Sequence, residues 1–182
     1  MAMPPPPSTE TATKKAAQIV LMGFDVDGVL TDGTLYFTSA GDEMKAFSSL
    51  DGHGLRLLQR FGIEVAIISG RSSRALALRA ENLGISSLHM GVEDKRALMR
   101  QLVAGRGLDM GQAGYMGDDI VDLPILRACG FSATVADGHA EVIRRVDYVT
   151  GAGGGRGAVR EVCDFILRTQ GHWDTLMADY LS

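Results

Sequence analysis

The sequence predicts an α/β fold, a Rossmann-like parallel sheet with helices on both faces. Two observations carry this. From Gln18 onward, short apolar runs alternate with segments of helical periodicity, the pattern of parallel strands joined by crossover helices. The chain has 182 residues and 46% hydrophobic content, enough to enclose one substantial core.

Taken in order, residues 1–17 begin MAMPPPPSTETATKK, with four consecutive prolines and no apolar stretch of the kind a secretory signal needs. A disordered tail is expected there, with residues 18–182 forming a single domain. Strands are expected at 19–24, 64–68, near Leu88, and at 113–116, 132–135 and 148–149. Helices are expected between and after them at 54–60, 73–83, 94–103, 123–128, 140–145 and 158–167. One segment interrupts the alternation. Residues 34–39 and 44–48 flank Ala-Gly-Asp-Glu, which reads as strand, turn and strand, so a β-hairpin over 34–48 is inserted after the first strand.

Composition excludes several classes of function. No apolar run approaches the ~20 residues of a membrane-spanning helix. A formal charge of −4 without a basic cluster argues against nucleic acid as a partner. Cys129 and Cys163 lie far apart with no histidine at ligand spacing, which implies neither a disulfide framework nor a zinc site. A small soluble substrate and a cytoplasmic location are expected.

In an open parallel sheet, ligands bind outside the carboxyl ends of the strands. The residues expected there form a set. The first strand runs into Asp25-Val26-Asp27-Gly28-Val29-Leu30-Thr31, the second into Ser69-Gly70-Arg71, and the fourth into Gly117-Asp118-Asp119-Ile120-Val121-Asp122, while Lys95 opens the helix before that fourth strand. Carboxylates, a hydroxyl and an ammonium would thus converge on one rim. Phosphoryl transfer uses these types: a carboxylate nucleophile, oxygen ligands for a hard cation, and donors for the phosphoryl oxygens. A calcium loop starting at Asp25 would need glutamate at its twelfth position, where Tyr36 stands. The stretch Gly153 to Ala158 fits a dinucleotide fingerprint only formally, because too little chain follows it. Two readings of it stay open, a structural loop or a site in which backbone N–H groups and Arg156 meet substrate oxygens. His53, after Asp51-Gly52 at an expected helix start, is a candidate to face the cleft.

These motifs, in this order, resemble the haloacid dehalogenase superfamily of phosphatases. The likeness extends from about Val20 to Gln170 and narrows to a branch acting on an eight-carbon sugar-acid phosphate of lipopolysaccharide synthesis. It is carried further by Lys45-Ala46-Phe47, Asp51-Gly52-His53-Gly54, residues 62–71, Val135-Ala136-Asp137, residues 147–150 and residues 154–161. The resemblance implies the haloacid dehalogenase fold with a minimal cap, a Mg²⁺ cofactor and a homotetramer. It implies Asp25 as nucleophile and Asp27 as general acid and base, with Mg²⁺ held by the carboxylates of Asp25 and Asp118 and the backbone carbonyl of Asp27. Ser69 and Lys95 would bind phosphoryl oxygens, and Asp119 and Asp122 would orient Lys95, Asp118 or a metal-bound water. Gly70, Arg71, Asp51, His53 and Arg156 are the further candidates for substrate contact. The chain departs from many members at Leu50 and His53, where they carry arginine and tyrosine. Two alternatives accompany the reading: a nine-carbon sugar-acid 9-phosphate as substrate, and a catalytically silent assembly domain.

Overall fold

The computed structural model describes residues 9–182. Six strands form one all-parallel sheet: β1 (Leu21–Phe24), β4 (Glu64–Ile68), β5 (Ser87–His89), β6 (Ala113–Met116), β7 (Phe131–Thr134) and β8 (Tyr148–Val149). Their spatial order is β5-β4-β1-β6-β7-β8. The chain therefore builds outward from β1 in one direction and then in the other, and the reversal opens a crevice at the carboxyl end of β1. Register fixes what meets there. Phe24 pairs with Ile67 on β4 and with Met116 on β6, so Asp25, Ser69 and Asp118 all emerge at the same edge.

Side chains alternate across the sheet as a pleat requires. Met22, Phe24, Val65 and Ile67 enter one core with α1 (Thr9–Ala16), α2 (Ser49–Arg60), α3 (Arg74–Leu83), α7 (Ala158–Thr169) and α8 (Trp173–Leu181). Leu21, Ala66, Ile68 and Tyr115 enter the other, with α4 (Lys95–Ala104), α5 (Leu123–Leu126) and α6 (Ala140–Ile143). The expected α/β architecture with helices on both faces is what forms.

Local expectations need three corrections and one addition. Residues 9–16 of the expected disordered tail form α1, because Ala12 and Ala16 are apolar at i,i+4 and bury against α7 and β7. The first eight residues of that tail lie outside the described residues. Helix α2 starts at Ser49 rather than at residue 54. Gly52 and Gly54 disguise its first turn, yet both sit in close quarters: a Cβ on Gly52 would lie 2.1 Å from the end of the Arg79 side chain, which would have to move, and one on Gly54 would lie 3.1 Å from the Arg160 backbone of α7. The hairpin is shorter than 34–48, with only β2 (Tyr36–Phe37) pairing with β3 (Glu43–Met44). Beyond β3 the chain leaves the ladder because Lys45 turns inward and Ser48 becomes the α2 N-cap, accepting the Asp51 N–H. Helix α8 carries no sequence expectation, and packs on α7 through the buried Leu176.

Candidate active site

The loop after β1 is closed by Thr31, whose buried hydroxyl accepts the N–H groups of Gly28 and Gly33 and donates to the Val26 carbonyl. That turn sends Asp25 and Asp27 to the same side. Gly28 sits at φ +90°, and a Cβ there would fall 2.2 Å from a carboxylate oxygen of Asp118. Only glycine lets this loop approach Asp118 so closely.

A cleft of about 400 Å³ opens over the strand ends, and Asp25, Asp27, Ser69, Arg71, Lys95 and Asp118 line it, together with Gly70 and Asp119. The Lys95 ammonium lies 2.7 Å from Asp25 Oδ2 and 2.7 Å from Asp122 Oδ1. Asp122 is fully buried. Its Oδ1 also accepts the Tyr115 hydroxyl, at 3.4 Å, and its Oδ2 accepts the N–H groups of Asp118 and Asp119, at 3.2 and 3.3 Å. One carboxylate thereby fixes both Lys95 and the turn that presents Asp118. The Asp119 carboxylate accepts its neighbour's N–H, from Ile120. Ser69 is buried and its Oγ accepts the Arg71 N–H at 3.1 Å, which orients the hydroxyl oxygen at the β4 end.

Electrostatics mark the site as short of positive charge. Carboxylate oxygens of Asp25, Asp118 and Asp122 lie within 4.8 Å of one another. Burial, and then the charge of Asp122, push the Asp25 carboxyl up to about 7, despite the pull of Lys95 in the other direction. Burial, with Asp122 and Asp119 behind it, pushes Asp118 up to about 7 as well. Lys95 is held above its usual range: burial alone would lower it, but Asp25 and Asp122 outweigh burial. Three carboxylates face one ammonium. An oxygen-only donor set with an excess of about two negative charges matches a hard divalent cation such as Mg²⁺.

One charged side chain beside Asp27 escaped sequence reasoning. The Lys45 side chain is only 2% exposed, forms a short ion pair with Asp27 Oδ1, and lies 3.3 Å from Glu43. Arg71 approaches Asp27 Oδ2 at 3.6 Å and Glu43 at 3.2 Å. Asp27 is therefore held between two cations, one from the hairpin stem and one from the β4 loop. The only trace in the sequence is the Lys45-Ala46-Phe47 motif, which carries no chemical signature of its own.

Three candidates stand elsewhere. Asp51 is buried in α2 and accepts the N–H groups of Gly157, at 3.3 Å, and Arg160, at 2.8 Å, so it caps the start of α7 rather than lining the cleft. His53 points to the C-terminal helix, 3.3 Å from the Tyr180 hydroxyl. Of the two readings of residues 153–158, the structural loop fits the geometry. Gly154 donates to Asp137 and Gly155 to the Val29 carbonyl, bracing the β1 loop from behind, while Arg156 is exposed and outside the cleft.

Several known proteins resemble this chain over nearly its whole length. No family model matches the chain. It is 44% identical over 164 residues to the 3-deoxy-D-manno-octulosonate 8-phosphate phosphatase of Yersinia pestis, covering 90% of this chain and 88% of that protein. It is 43% identical over 168 residues to the enzyme of the same name from Escherichia coli K12, covering 92% and 89%. The solved structure of the Moraxella catarrhalis 3-deoxy-D-manno-octulosonate 8-phosphate phosphatase, in complex with magnesium ion, phosphate ion and KDO, superposes with a TM-score of 0.93. That protein is 40% identical, and the match covers 95% of this chain and 99% of that one. With this identity spread over nearly its whole length, and with the strand-end carboxylates in place, the chain belongs to the 3-deoxy-D-manno-octulosonate 8-phosphate phosphatase family of the haloacid dehalogenase superfamily.

Proposed function

We propose that the protein hydrolyses 3-deoxy-D-manno-octulosonate 8-phosphate to the free sugar acid and phosphate, with Mg²⁺, in lipopolysaccharide synthesis. The observation that carries this is the cleft in which Asp25, Asp118 and Lys95 meet at the carboxyl ends of β1, β6 and the start of α4, in a chain of this family. Sugar-acid phosphates bear charges that do not cross a bilayer unaided, so the cytoplasm is the proposed compartment. Residues 9–182, with α1 packed into the core, are proposed as one catalytic domain.

Asp25 is the proposed nucleophile. It attacks phosphorus and yields an aspartyl-phosphate, while Asp27 gives a proton to the departing sugar oxygen. Asp27 then takes a proton from the water that hydrolyses the intermediate, which returns both carboxylates to their starting state. Ser69 and Lys95 hold phosphoryl oxygens, a role supported by their burial at the cleft floor. The carboxylates of Asp25 and Asp118, with the Asp27 backbone carbonyl, would hold Mg²⁺. Held there, the ion would supply the positive charge that lets an anionic nucleophile approach an anionic phosphate. Gly70 and Arg71 line the same rim and are proposed to meet the sugar acid.

Phosphate release from a panel of eight-carbon and nine-carbon sugar-acid phosphates, with Mg²⁺ and with EDTA, tests the proposal. The eight-carbon 8-phosphate is expected to give the highest kcat/KM, and EDTA to abolish turnover. A preference for a nine-carbon 9-phosphate would overturn the substrate, and inactivity on every ester would overturn the enzyme.

A further inference from the structure

Most arginines of this chain have a partner. Arg60, Arg71, Arg106, Arg144, Arg145 and Arg160 form ion pairs, and Arg168 stacks on Trp173. Among the described residues Arg74, Arg96, Arg100, Arg127 and Arg156 have side chains with no hydrogen bond, ion pair or ring contact. Three of those five line a single groove of about 510 Å³, with Leu123, Pro124 and Ala128 and without any carboxylate. Arg96 and Arg100 stand at i,i+4 on α4, where like charges repel each other, and Arg127 adds a third from the end of α5.

The groove adjoins the catalytic cleft. A smaller cavity of about 190 Å³ lies between them, sharing Glu93, Lys95 and Val121 with the cleft and Arg96 and Pro124 with the groove. The same helix thus directs Lys95 into the cleft and, one residue later, Arg96 into the groove. The cleft itself carries five carboxylates, Asp25, Asp27, Glu93, Asp118 and Asp119, against the two cations Arg71 and Lys95, in a chain of net charge −4. A polyanion approaching that cleft meets repulsion. Unpaired guanidiniums beside it offer the opposite field, and their planar forks match phosphoryl and carboxylate oxygens.

We propose that Arg96, Arg100 and Arg127 form a second anion-binding site, which captures the phosphorylated sugar-acid polyanion and feeds it along the adjoining cavity to the catalytic cleft. The identity of the polyanion rests on the function proposed above. The groove has the size of a metabolite pocket rather than a macromolecular face.

The test compares wild type with R96Q/R100Q/R127Q, three exposed changes that remove no internal partner. With the sugar-acid phosphate and Mg²⁺ at low ionic strength, kcat is expected to be unchanged and kcat/KM to fall about tenfold, within the range of electrostatic focusing. The difference should disappear at about 0.5 M salt, where the screening length is only ~4 Å. Equal kcat/KM at low salt would overturn the site, and so would a loss that persists at high salt. Calorimetric titration of inorganic phosphate into both metal-free proteins is independent of turnover. Loss of one binding event in the variant supports the site, and superimposable isotherms overturn it. If wild type prefers another phosphate ester, only the substrate reading fails, and the same comparison is made on that ester.

Discussion

At the residue scale, the site is an arrangement of charges that balance only in sum. Asp25→Asn is expected to abolish phosphate release while leaving the circular-dichroism spectrum that of a folded protein, since an amide is a poor nucleophile. Turnover within tenfold of wild type would remove Asp25 from the mechanism. Lys45→Met keeps the bulk of the side chain and deletes the ammonium that pins Asp27. A fall in kcat of about 10² is expected, the order contributed by a positioned acid–base group. An unchanged kcat would mean that Arg71 alone positions Asp27. The raised carboxyls of Asp25 and Asp118 also fix a sign. Both titrate near 7 in the metal-free fold but near 3.8 when unfolded, so the folded state binds more protons between those values. Their contribution to stability is complete below about pH 4 and is lost as pH rises through 7. In EDTA the melting temperature is therefore expected to fall between pH 5 and pH 8. Mg²⁺ is expected to raise it much more at pH 8, where protons no longer compete for the ligands. A Mg²⁺ effect of equal size at both pH values would contradict this site.

At the scale of elements, several joints depend on a single polar group. The start of α7 is held by Asp51, which satisfies two N–H groups that the helix leaves without partners. Burial raises the Asp51 carboxyl, while the N–H groups of Arg160 and Gly157 oppose that rise. Asp51→Ala is expected to lower unfolding free energy by about 1–3 kcal/mol, the cost of leaving buried donors unmet. KM for the substrate should not change, because the carboxylate faces α7. A large rise in KM with unaltered stability would return Asp51 to the substrate site. The hairpin stem is a second joint, tied to the cleft by Lys45 to Asp27 and by Glu43 to Arg71. Two elements distant in sequence thus share one ionic latch, and it holds a hairpin of only two residue pairs, which would be marginal alone.

At the scale of the whole molecule, the hairpin leaves apolar surface uncovered. Leu35, Tyr36, Phe37 and Met44 are all exposed, Phe37 by 59%. With 43 residues between Asp25 and Ser69, the chain has no room there for a separate lid domain. A homotetramer assembled through these hairpins is our proposal, since it would bury that surface and shield the cleft from bulk water. Replacing Leu35 and Phe37 together by Glu is expected to reduce the sedimentation coefficient to that of a 19.4 kDa chain and to impair activity. An undiminished coefficient would refute the hairpin interface.

The class of fold and most of the candidate site were legible in the sequence because both are local. Apolar runs of strand length alternate with helical periods, and Asp25, Asp27, Ser69, Lys95 and Asp118 each sit at a strand end or helix start that those periods define. Parallel topology then brings such ends to one edge without further information. What the tertiary structure alone decided are the partnerships across long stretches of chain. Nothing near Lys45 signals that it turns in to Asp27, nothing near Asp51 that it caps a helix starting at Ala158, and nothing near Gly52 that the Arg79 side chain lies against it. Helix α1 is likewise polar by composition and becomes structure only where two alanines meet the core. Local propensity fixes each element's kind, whereas a buried charge or a close approach depends on which surfaces packing brings together.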